Sequence, residues 1–259
     1  MIELLILIVP FLYGAIVGSF LNVCIYRMPI GLSVVSPPSS CPNCKSKIAF
    51  YDNVPILSYL ILGGKCRVCK THISARYPMI EALNGALTAA LFYKFGISVE
   101  FLAYFVFTSS LVVVTFIDLK YQIIPNAISL PGIAVGFGAA YFMPSVGLYS
   151  SGIGIIMGGG ILLAIALSYL VLTGRNGLGI GDVKLLAMIG AFVGWQGVLV
   201  TIFTASFVGA LIGVVIIIKY GKSAKFKMPF GPFLAFGALV HIYFGQYLVN
   251  WYFSGIMGL

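Results

Sequence analysis

Long apolar runs follow one another along almost the whole chain, with short polar connections between them. A helix needs about 17–25 mostly apolar residues to cross the hydrocarbon core of a bilayer. On this criterion the pattern predicts about eight transmembrane helices, with boundaries good to a few residues. They cover Leu4–Tyr26, Met79–Phe95, Phe101–Ile117, Ala127–Phe142, Ile153–Leu172, Asp182–Trp195, Gly197–Ile218 and Phe230–Phe253. The expected fold class is therefore an all-α polytopic integral membrane protein.

The composition supports a membrane environment. Hydrophobic residues make up 61% of the chain and charged residues 8%, and the mean hydropathy is +1.09. Soluble domains contain about 45–50% apolar and about 25% charged residues. Only the stretch 27–77 is polar and long enough to form a small domain outside the membrane. We therefore expect a first transmembrane helix over 1–26, a loop domain over 27–77 and a transmembrane domain over 78–259.

The basic residues indicate how the chain is oriented. All fifteen except Lys94 fall in the predicted connections 27–77, 118–126, 173–184 and 219–229. Because positively charged loops stay in the cytoplasm, these connections are expected there. Only Glu3 precedes the first apolar run and Arg27 follows it, so we expect the N-terminus outside and the first span retained as an anchor. The net charge of +9 lies beside helix ends, which favours membrane lipids as partners and not nucleic acid.

Two aspartates, Asp118 and Asp182, lie where apolar helices are predicted to meet the cytoplasm. A carboxylate at the bilayer centre costs about 2.5–3.5 kcal/mol, so acidic residues beside apolar spans are functional candidates. Asp118 is expected just after its helix, and Asp182 is expected to be an N-cap. Two adjacent carboxyl groups that share a proton can act as an acid and a base. The alternative is that Asp182 only caps a helix and Asp118 is a solvated loop residue.

The sixth predicted helix is short. It has about 14 residues and a length of about 21 Å, against about 30 Å for the hydrocarbon core. The glycine-rich stretch 177–181 precedes it. We expect irregular backbone there, which is tolerated at membrane depth only beside a polar cavity or within protein. Glycines permit close backbone approach, so an extended substrate strand could lie beside them.

Four cysteines form a second group of candidate residues. Cys41 and Cys44, and then Cys66 and Cys69, form two C-x-x-C motifs with the spacing of a structural zinc site. A bound Zn²⁺ would give this core-poor loop a reason to fold. A pair of disulfides is the alternative, but the predicted cytoplasmic location disfavours it. A redox role is also disfavoured, because no thioredoxin-like pattern surrounds either motif.

Several motifs together resemble a known family. Gly179-Ile180-Gly181-Asp182 matches the GxGD signature of intramembrane aspartic proteases, and Ile117-Asp118-Leu119-Lys120 resembles the first catalytic segment of the bacterial type IV prepilin peptidases. The likeness extends to the segments 18–23, 52–59, 76–78 and 229–233. Because these motifs occur in the family's order, they are more specific than a lone GxGD.

The resemblance implies that Asp118 and Asp182 are catalytic and that Cys41, Cys44, Cys66 and Cys69 bind zinc. The expected activity is cleavage of type IV prepilins and related pseudopilins at a Gly-Phe junction, at the cytoplasmic face of the bacterial inner membrane. Members with the tetracysteine loop also methylate the new N-terminal residue, with S-adenosylmethionine as the methyl donor. The loop 27–77 is then associated with the methyltransferase and the part 78–259 with the peptidase.

The residues that bind the methyl donor are not assigned by the resemblance. No glycine-rich nucleotide fingerprint follows a strand in this chain. Glu81 and Asn22 are polar candidates near the loop, although each could equally be a helix-packing residue.

Two other classes of protein remain open. A proton-coupled transporter also uses membrane aspartates, but more often at midplane within an inverted repeat. The internal echo here, Asp118-Leu119-Lys120 against Asp182-Val183-Lys184, is too short to count as one. A noncatalytic, zinc-stabilised assembly protein would tolerate the loss of either aspartate.

Overall fold

The computed structural model of the protein describes residues 2–174, 179–221 and 228–256. Its helices are α1 Ile2–Arg27, α2 Leu57–Ile61, α3 Arg76–Phe95, α4 Val99–Tyr121, α5 Asn126–Ala140, α6 Leu148–Thr173, α7 Ile180–Tyr220 and α8 Gly231–Ile256. Two short 3₁₀ helices, η1 Met28–Ile30 and η2 Phe50–Asn53, lie in the loop between α1 and α3. Within the described ranges the only β pairing is two isolated bridges. The expected all-α class is confirmed.

Four helical stretches are long and apolar enough to cross a membrane. They are Ile6–Ile30, Val99–Tyr121, Leu148–Thr173 and Ile180–Lys219. The helix α5 and the part Gly231–Gly245 of α8 are apolar but shorter. The described residues thus support a multi-pass membrane protein, with fewer spans of full length than the eight predicted.

The separate sixth and seventh helices of the prediction are present, but they follow one another without a connecting loop and together make up α7, which has 41 residues. A straight helix of that length would measure about 60 Å, about twice the hydrocarbon thickness. The break falls at Gly194, whose φ of 69° and ψ of −178° are not helical. Glycine adopts this backbone readily because it has no Cβ, so α7 consists of two helical halves that meet at Gly194.

The chain forms two compact units, Met1–Val113 and Val114–Leu259. In the first unit α1 packs along α3 through small residues. A Cβ at Gly18 would lie 2.8 Å from Cα of Glu81, and Nδ2 of Asn84 donates to the carbonyl of Gly14 at 2.8 Å. Small residues let two helix backbones approach closely in a membrane, and a polar side chain then links them.

In the second unit α6 and α7 make the same kind of close contact. A Cβ at Gly154 would collide with the carbonyl of Gly190, and one at Gly158 with the carbonyl of Leu186. The hydroxyl of Ser151 donates to the carbonyl of Ala191 at 2.8 Å. These contacts hold the first half of α7, which carries the second candidate aspartate, Asp182, in its first turn.

We expect Gly158→Ala to destabilise the second unit by about 1–3 kcal/mol, because the added methyl group meets backbone that cannot move aside. Gly160→Ala is the matched control on the same helix, since nothing lies within 4 Å of its added Cβ. This control should be neutral or stabilising by up to about 1 kcal/mol, because alanine favours helix. Thermal unfolding in detergent measures both. Equal midpoints for the two variants would contradict the close α6–α7 packing.

Candidate functional site

Asp118 lies inside α4, in its last turn, and not in the connection that follows as predicted. The helix continues to Tyr121 and is followed by Gln122, which has a positive φ of 54°. The Asp118 side chain is buried, with 5% exposure. Its Oδ2 accepts a hydrogen bond from the backbone N–H of Gly231 at 3.0 Å. The first amides of a helix have no partner within the helix, so Asp118 satisfies one at the start of α8.

Asp182 is the third residue of α7, and the N-cap is Gly179. The expected N-cap at Asp182 is therefore wrong by three residues. Its carboxyl accepts a hydrogen bond from the backbone amide of Gly179, as the third residue of a capping box does. A Cβ at position 179 would lie 3.2 Å from Oδ2 of Asp182. The glycine thus leaves room for the carboxyl to reach back over the start of the helix.

The structure brings the two aspartates into one region of the second unit. The negative charge of Asp118 acts on the Asp182 carboxyl. The side chain of Ile124 lies against the backbone beside both, because a Cβ at Gly181 would be 3.0 Å from its Cβ and one at Gly231 would be 3.5 Å from its Cδ1. Neighbouring carboxyl groups in buried surroundings can divide acid and base roles between them.

The four cysteines of the C-x-x-C motifs form a compact cluster in the first unit. The Sγ atoms of Cys41, Cys44, Cys66 and Cys69 all lie within 4.8 Å of one another, and all four are free thiols. Cys41 and Cys69 are the two whose sulfurs lie 3.7 Å apart. Four thiols at this separation are suited to hold a tetrahedral metal ion.

The two cysteine knuckles, Cys41–Ile48 and Cys66–Ile73, have the same pattern of backbone hydrogen bonds. In each, the first cysteine's N–H bonds the carbonyl five residues later at 2.9 Å, and the residue after the second cysteine returns an N–H to the first cysteine's carbonyl at 3.0 Å. That returning residue, Lys45 or Lys70, has a positive φ in both. The repeat C-x-x-C-K-(S/T)-x-I is visible in the sequence and would have predicted this symmetry.

A hydroxyl follows the second cysteine of each knuckle at a distance of two residues. The Sγ of Cys44 lies 2.9 Å from Oγ of Ser46, and the Sγ of Cys69 lies 3.4 Å from Oγ1 of Thr71. The hydrogen bond with Thr71 lowers the pKa of the Cys69 thiol to about 5, and the one with Ser46 lowers the pKa of Cys44. Thiolates bind metals, so these hydroxyls favour the form of cysteine that a metal needs.

An ion pair fixes the second knuckle to η2. The Arg67 guanidinium donates two hydrogen bonds to the Asp52 carboxylate, at 2.7 and 2.6 Å. The Arg67 side chain holds the pKa of the Asp52 carboxyl below its usual value. The resemblance of the segment 52–59 to the family assigns no role to Asp52. The bidentate ion pair with Arg67 gives Asp52 a structural role.

A cavity of about 630 Å³ lies in the first unit and is lined by both knuckles, α1 and α3. Its lining includes the two polar candidates Asn22 and Glu81, which are 5% and 8% exposed. Asn22 donates to the carbonyl of Tyr77 at 3.1 Å, so it links α1 to the start of α3. Oε2 of Glu81 accepts the backbone N–H of Ile56 at 2.8 Å.

Sequence reasoning missed the role of Gly231. The motif Pro229–Phe233 resembles a segment of the family, and nothing in its spacing predicts an amide beside Asp118. The available signal was a glycine between two prolines at the start of an apolar helix. Proline suits the first helical turn, so this pattern indicates a defined helix start at which amides without partners could bind an acid.

Apolar spanning helices that carry two neighbouring acidic side chains, Asp118 buried and Asp182 half-buried, are the features expected of a membrane-embedded aspartic peptidase. Residues 105–214 match the model of the Type IV leader peptidase family, and residues 12–95 match that of the Bacterial Peptidase A24 N-terminal domain. The chain belongs to the type IV leader peptidase family.

Relatives named prepilin leader peptidase/N-methyltransferase align over nearly the whole chain. The one from Pseudomonas putida is 37% identical over 255 residues, which cover 90% of this chain and 88% of the relative. The one from Aeromonas hydrophila is 33% identical, with 95% and 93% covered, and the one from Pseudomonas aeruginosa is 33% identical, with 93% and 91% covered. No solved structure is significantly similar to the chain.

Proposed function

We propose that this protein removes the leader peptide from type IV prepilins and related pseudopilins and then methylates the new N-terminal residue. The observation that supports the proposal is that the charge of Asp118 acts on the Asp182 carboxyl, and that both residues lie inside the segment that matches the leader peptidase family. Relatives that carry both activities in their name align over 90% or more of this chain. Membership of a peptidase family favours this enzyme over the transporter and the noncatalytic assembly protein.

In the proposed cleavage Asp118 and Asp182 share one proton. The protonated member donates a hydrogen bond to the carbonyl oxygen of the scissile Gly-Phe bond, and the ionised member takes a proton from a water molecule as it attacks. The backbone amides of Gly231 and Gly179 orient the two carboxyl groups. The substrate backbone lies extended beside the glycines at 179 and 181, which permit close backbone approach.

Gly231→Ala tests the orientation of Asp118. The added Cβ would lie 2.6 Å from Oδ2 of Asp118, so the carboxyl must move, and misplacement by about 1 Å can reduce the rate about 100-fold. We expect a loss of this order in leader removal with insertion unchanged. Gly213→Ala is the matched control, because nothing lies within 4 Å of its Cβ. Equal cleavage rates for the two variants would show that the Gly231 contact does not position Asp118.

The proposed topology has eight spans, an external N-terminus and an active site that faces the cytoplasm of the bacterial inner membrane. The two halves of α7 provide two of these spans, since they meet at Gly194. The polar loop 27–77 and the basic connections lie on the cytoplasmic side. The connections include residues 175–178 and 222–227, which lie outside the described part of the chain. The glycine-rich stretch predicted to be irregular also falls partly there.

We propose Zn²⁺ as the ion held by Cys41, Cys44, Cys66 and Cys69. The four sulfurs suit it because zinc in structural sites takes four thiolates in a tetrahedron. The ion would fix the two knuckles against each other and so give a stable wall to the cavity that both knuckles line. S-adenosylmethionine would supply the methyl group when bound, and a cavity of about 630 Å³ lies within the usual range for sites of small ligands.

Whole-protein mass spectrometry of a co-expressed prepilin-like substrate tests the proposed function. The expected product has lost its leader and gained the mass of one methyl group. An intact leader in the presence of correctly inserted protein would overturn the peptidase assignment. A cut substrate without the methyl group, with the donor in excess, would overturn the methyltransferase assignment.

A further inference from the structure

The cavity of the first unit has a charged rim and a buried acidic floor. The titratable side chains that line it besides Glu81 and the first cysteines are Arg27 from α1, Asp52 from η2, Lys45, Lys47, Arg67 and His72 from the knuckles, Lys65 just before the second knuckle, and four tyrosines. The lysines and Arg67 are exposed. Glu81 is 8% exposed. Among the buried residues of this lining, it is the one with a charged side chain.

The Glu81 carboxylate is held by neutral groups. It accepts the N–H of Ile56 at 2.8 Å and a hydrogen bond from the Ser19 side chain. Among the described residues the ion pair found joins Arg67 to Asp52 and does not include Glu81. Burying a carboxylate without a cationic partner is unfavourable. A cationic ligand that enters the cavity would compensate for this.

The residue that donates its N–H to Glu81, Ile56, has a strained backbone conformation. Ile56 has a φ of 62° and a ψ of −52°, a conformation that a β-branched residue rarely adopts. Its N–H points to Glu81 in this conformation. Strained backbone persists where the surroundings over-determine it, and it occurs often at functional sites. The loop is therefore arranged around the carboxylate.

We propose that the Glu81 carboxylate binds the terminal ammonium group freed by leader removal and takes a proton from it, so that the neutral amine can be methylated. The inference rests on the proposed methyltransferase function. A terminal ammonium has a pKa of about 7.7–8.0, so it is mostly protonated at neutral pH and has no lone pair to react. Removal of one proton to the carboxylate oxygen exposes that lone pair. The donor, when bound, supplies the methyl group: the N–C bond forms as the C–S bond of its sulfonium breaks, which leaves a neutral thioether.

Glu81→Gln isolates the charge, because the glutamine carbonyl can still accept the N–H of Ile56. In the full-length protein we expect leader removal within about twofold of the wild type and methylation reduced about 100-fold at pH 7. Above about pH 8 the amine loses its proton without help, so the variant should recover methylation relative to the wild type. Glu81→Asp should retain part of the activity, and Glu100→Gln is the control for an acid lost elsewhere in the same unit.

A binding measurement identifies which cation Glu81 recognises. Wild-type protein in detergent should bind a peptide of the mature N-terminal sequence about tenfold more tightly than its N-acetylated form. Glu81→Gln should lose this preference and keep its affinity for S-adenosylhomocysteine, the uncharged-sulfur product of the donor.

Three outcomes would overturn the proposal. They are methylation by Glu81→Gln at the wild-type rate, a methylation defect that does not ease at high pH, and a loss of S-adenosylhomocysteine binding with the peptide preference intact. A wild-type protein that cuts but does not methylate would instead contradict the proposed function. The comparison of free and acetylated peptide would still decide whether Glu81 recognises the amine.

Discussion

Asp118→Asn and Asp182→Asn, each made in the full-length protein, should stop leader removal almost completely. We expect the rate to fall by about 100-fold to 10,000-fold. An amide replaces either the acid or the base of the pair, and the remaining carboxyl cannot perform both roles. The charge of Asp118 acts on Asp182, so we expect the two groups to function as a unit. The double variant should therefore be no worse than either single variant. Rates are measured by gel or mass spectrometry of a co-expressed prepilin-like substrate.

The control for this series is Glu100→Gln, which makes the same chemical change in the first turn of α4, the helix that carries Asp118 near its other end. This variant should cleave at about the wild-type rate. Membrane extraction and thermal unfolding should give the same insertion and stability for all variants. Substantial cleavage by either asparagine variant would rule out the aspartate pair as the catalytic centre.

Cys44→Ser and Cys69→Ser should each lower the zinc content of the purified protein more than about tenfold and destabilise the loop 27–77. A structural site with a missing thiolate no longer closes, and the free energy of zinc binding, about 10–16 kcal/mol in zinc-finger peptides, is free energy of folding. The measurements are elemental analysis and limited proteolysis of the loop. Treatment of the wild-type protein with a chelator should reproduce the same pattern of proteolysis.

The matched control is Cys24→Ala. Cys24 is buried in α1 and does not belong to the cluster, so this variant should keep its zinc. Wild-type protein that contains no zinc, and whose four loop thiols react freely with an alkylating reagent, would contradict the proposed metal site.

The helices were the easiest part to predict, because an apolar run of spanning length has few alternatives in a membrane. The second helix of the prediction, Met79–Phe95, ends at the same residue as α3 and begins three residues late. The errors lie at helix ends. Asp118 was placed outside its helix because a charged residue interrupts the apolar run, yet α4 continues to Tyr121. The amide of Gly231 donates a hydrogen bond to the buried Asp118 carboxyl. The carboxyl therefore does not need to reach solvent, and the helix can continue past it.

The sequence predicts the position of the boundary between the two halves of α7 within about two residues. It does not predict the kind of break that occurs there. The prediction places a connection between Trp195 and Gly197, whereas the structure separates the two helical halves by a single residue with non-helical backbone, Gly194. Hydropathy cannot separate these cases, because both leave the apolar run unbroken. The close contact of α6 with α7 at Gly154 and Gly190 holds the first half in its direction.

The sequence by itself determined which residues we propose to carry the chemistry. Two acids at the ends of apolar helices and two C-x-x-C motifs at the spacing of a zinc site are local patterns, because the cost of burying a charge and the geometry of a metal turn act over a few residues. The tertiary structure decided which groups meet. The backbone N–H of Gly231 donates a hydrogen bond to Asp118, which is 113 residues away in the sequence. The N–H of Ile56, whose backbone is strained, donates one to Glu81, which is 25 residues away. Such contacts depend on how helices pack and where loops return, and no spacing along the chain encodes them.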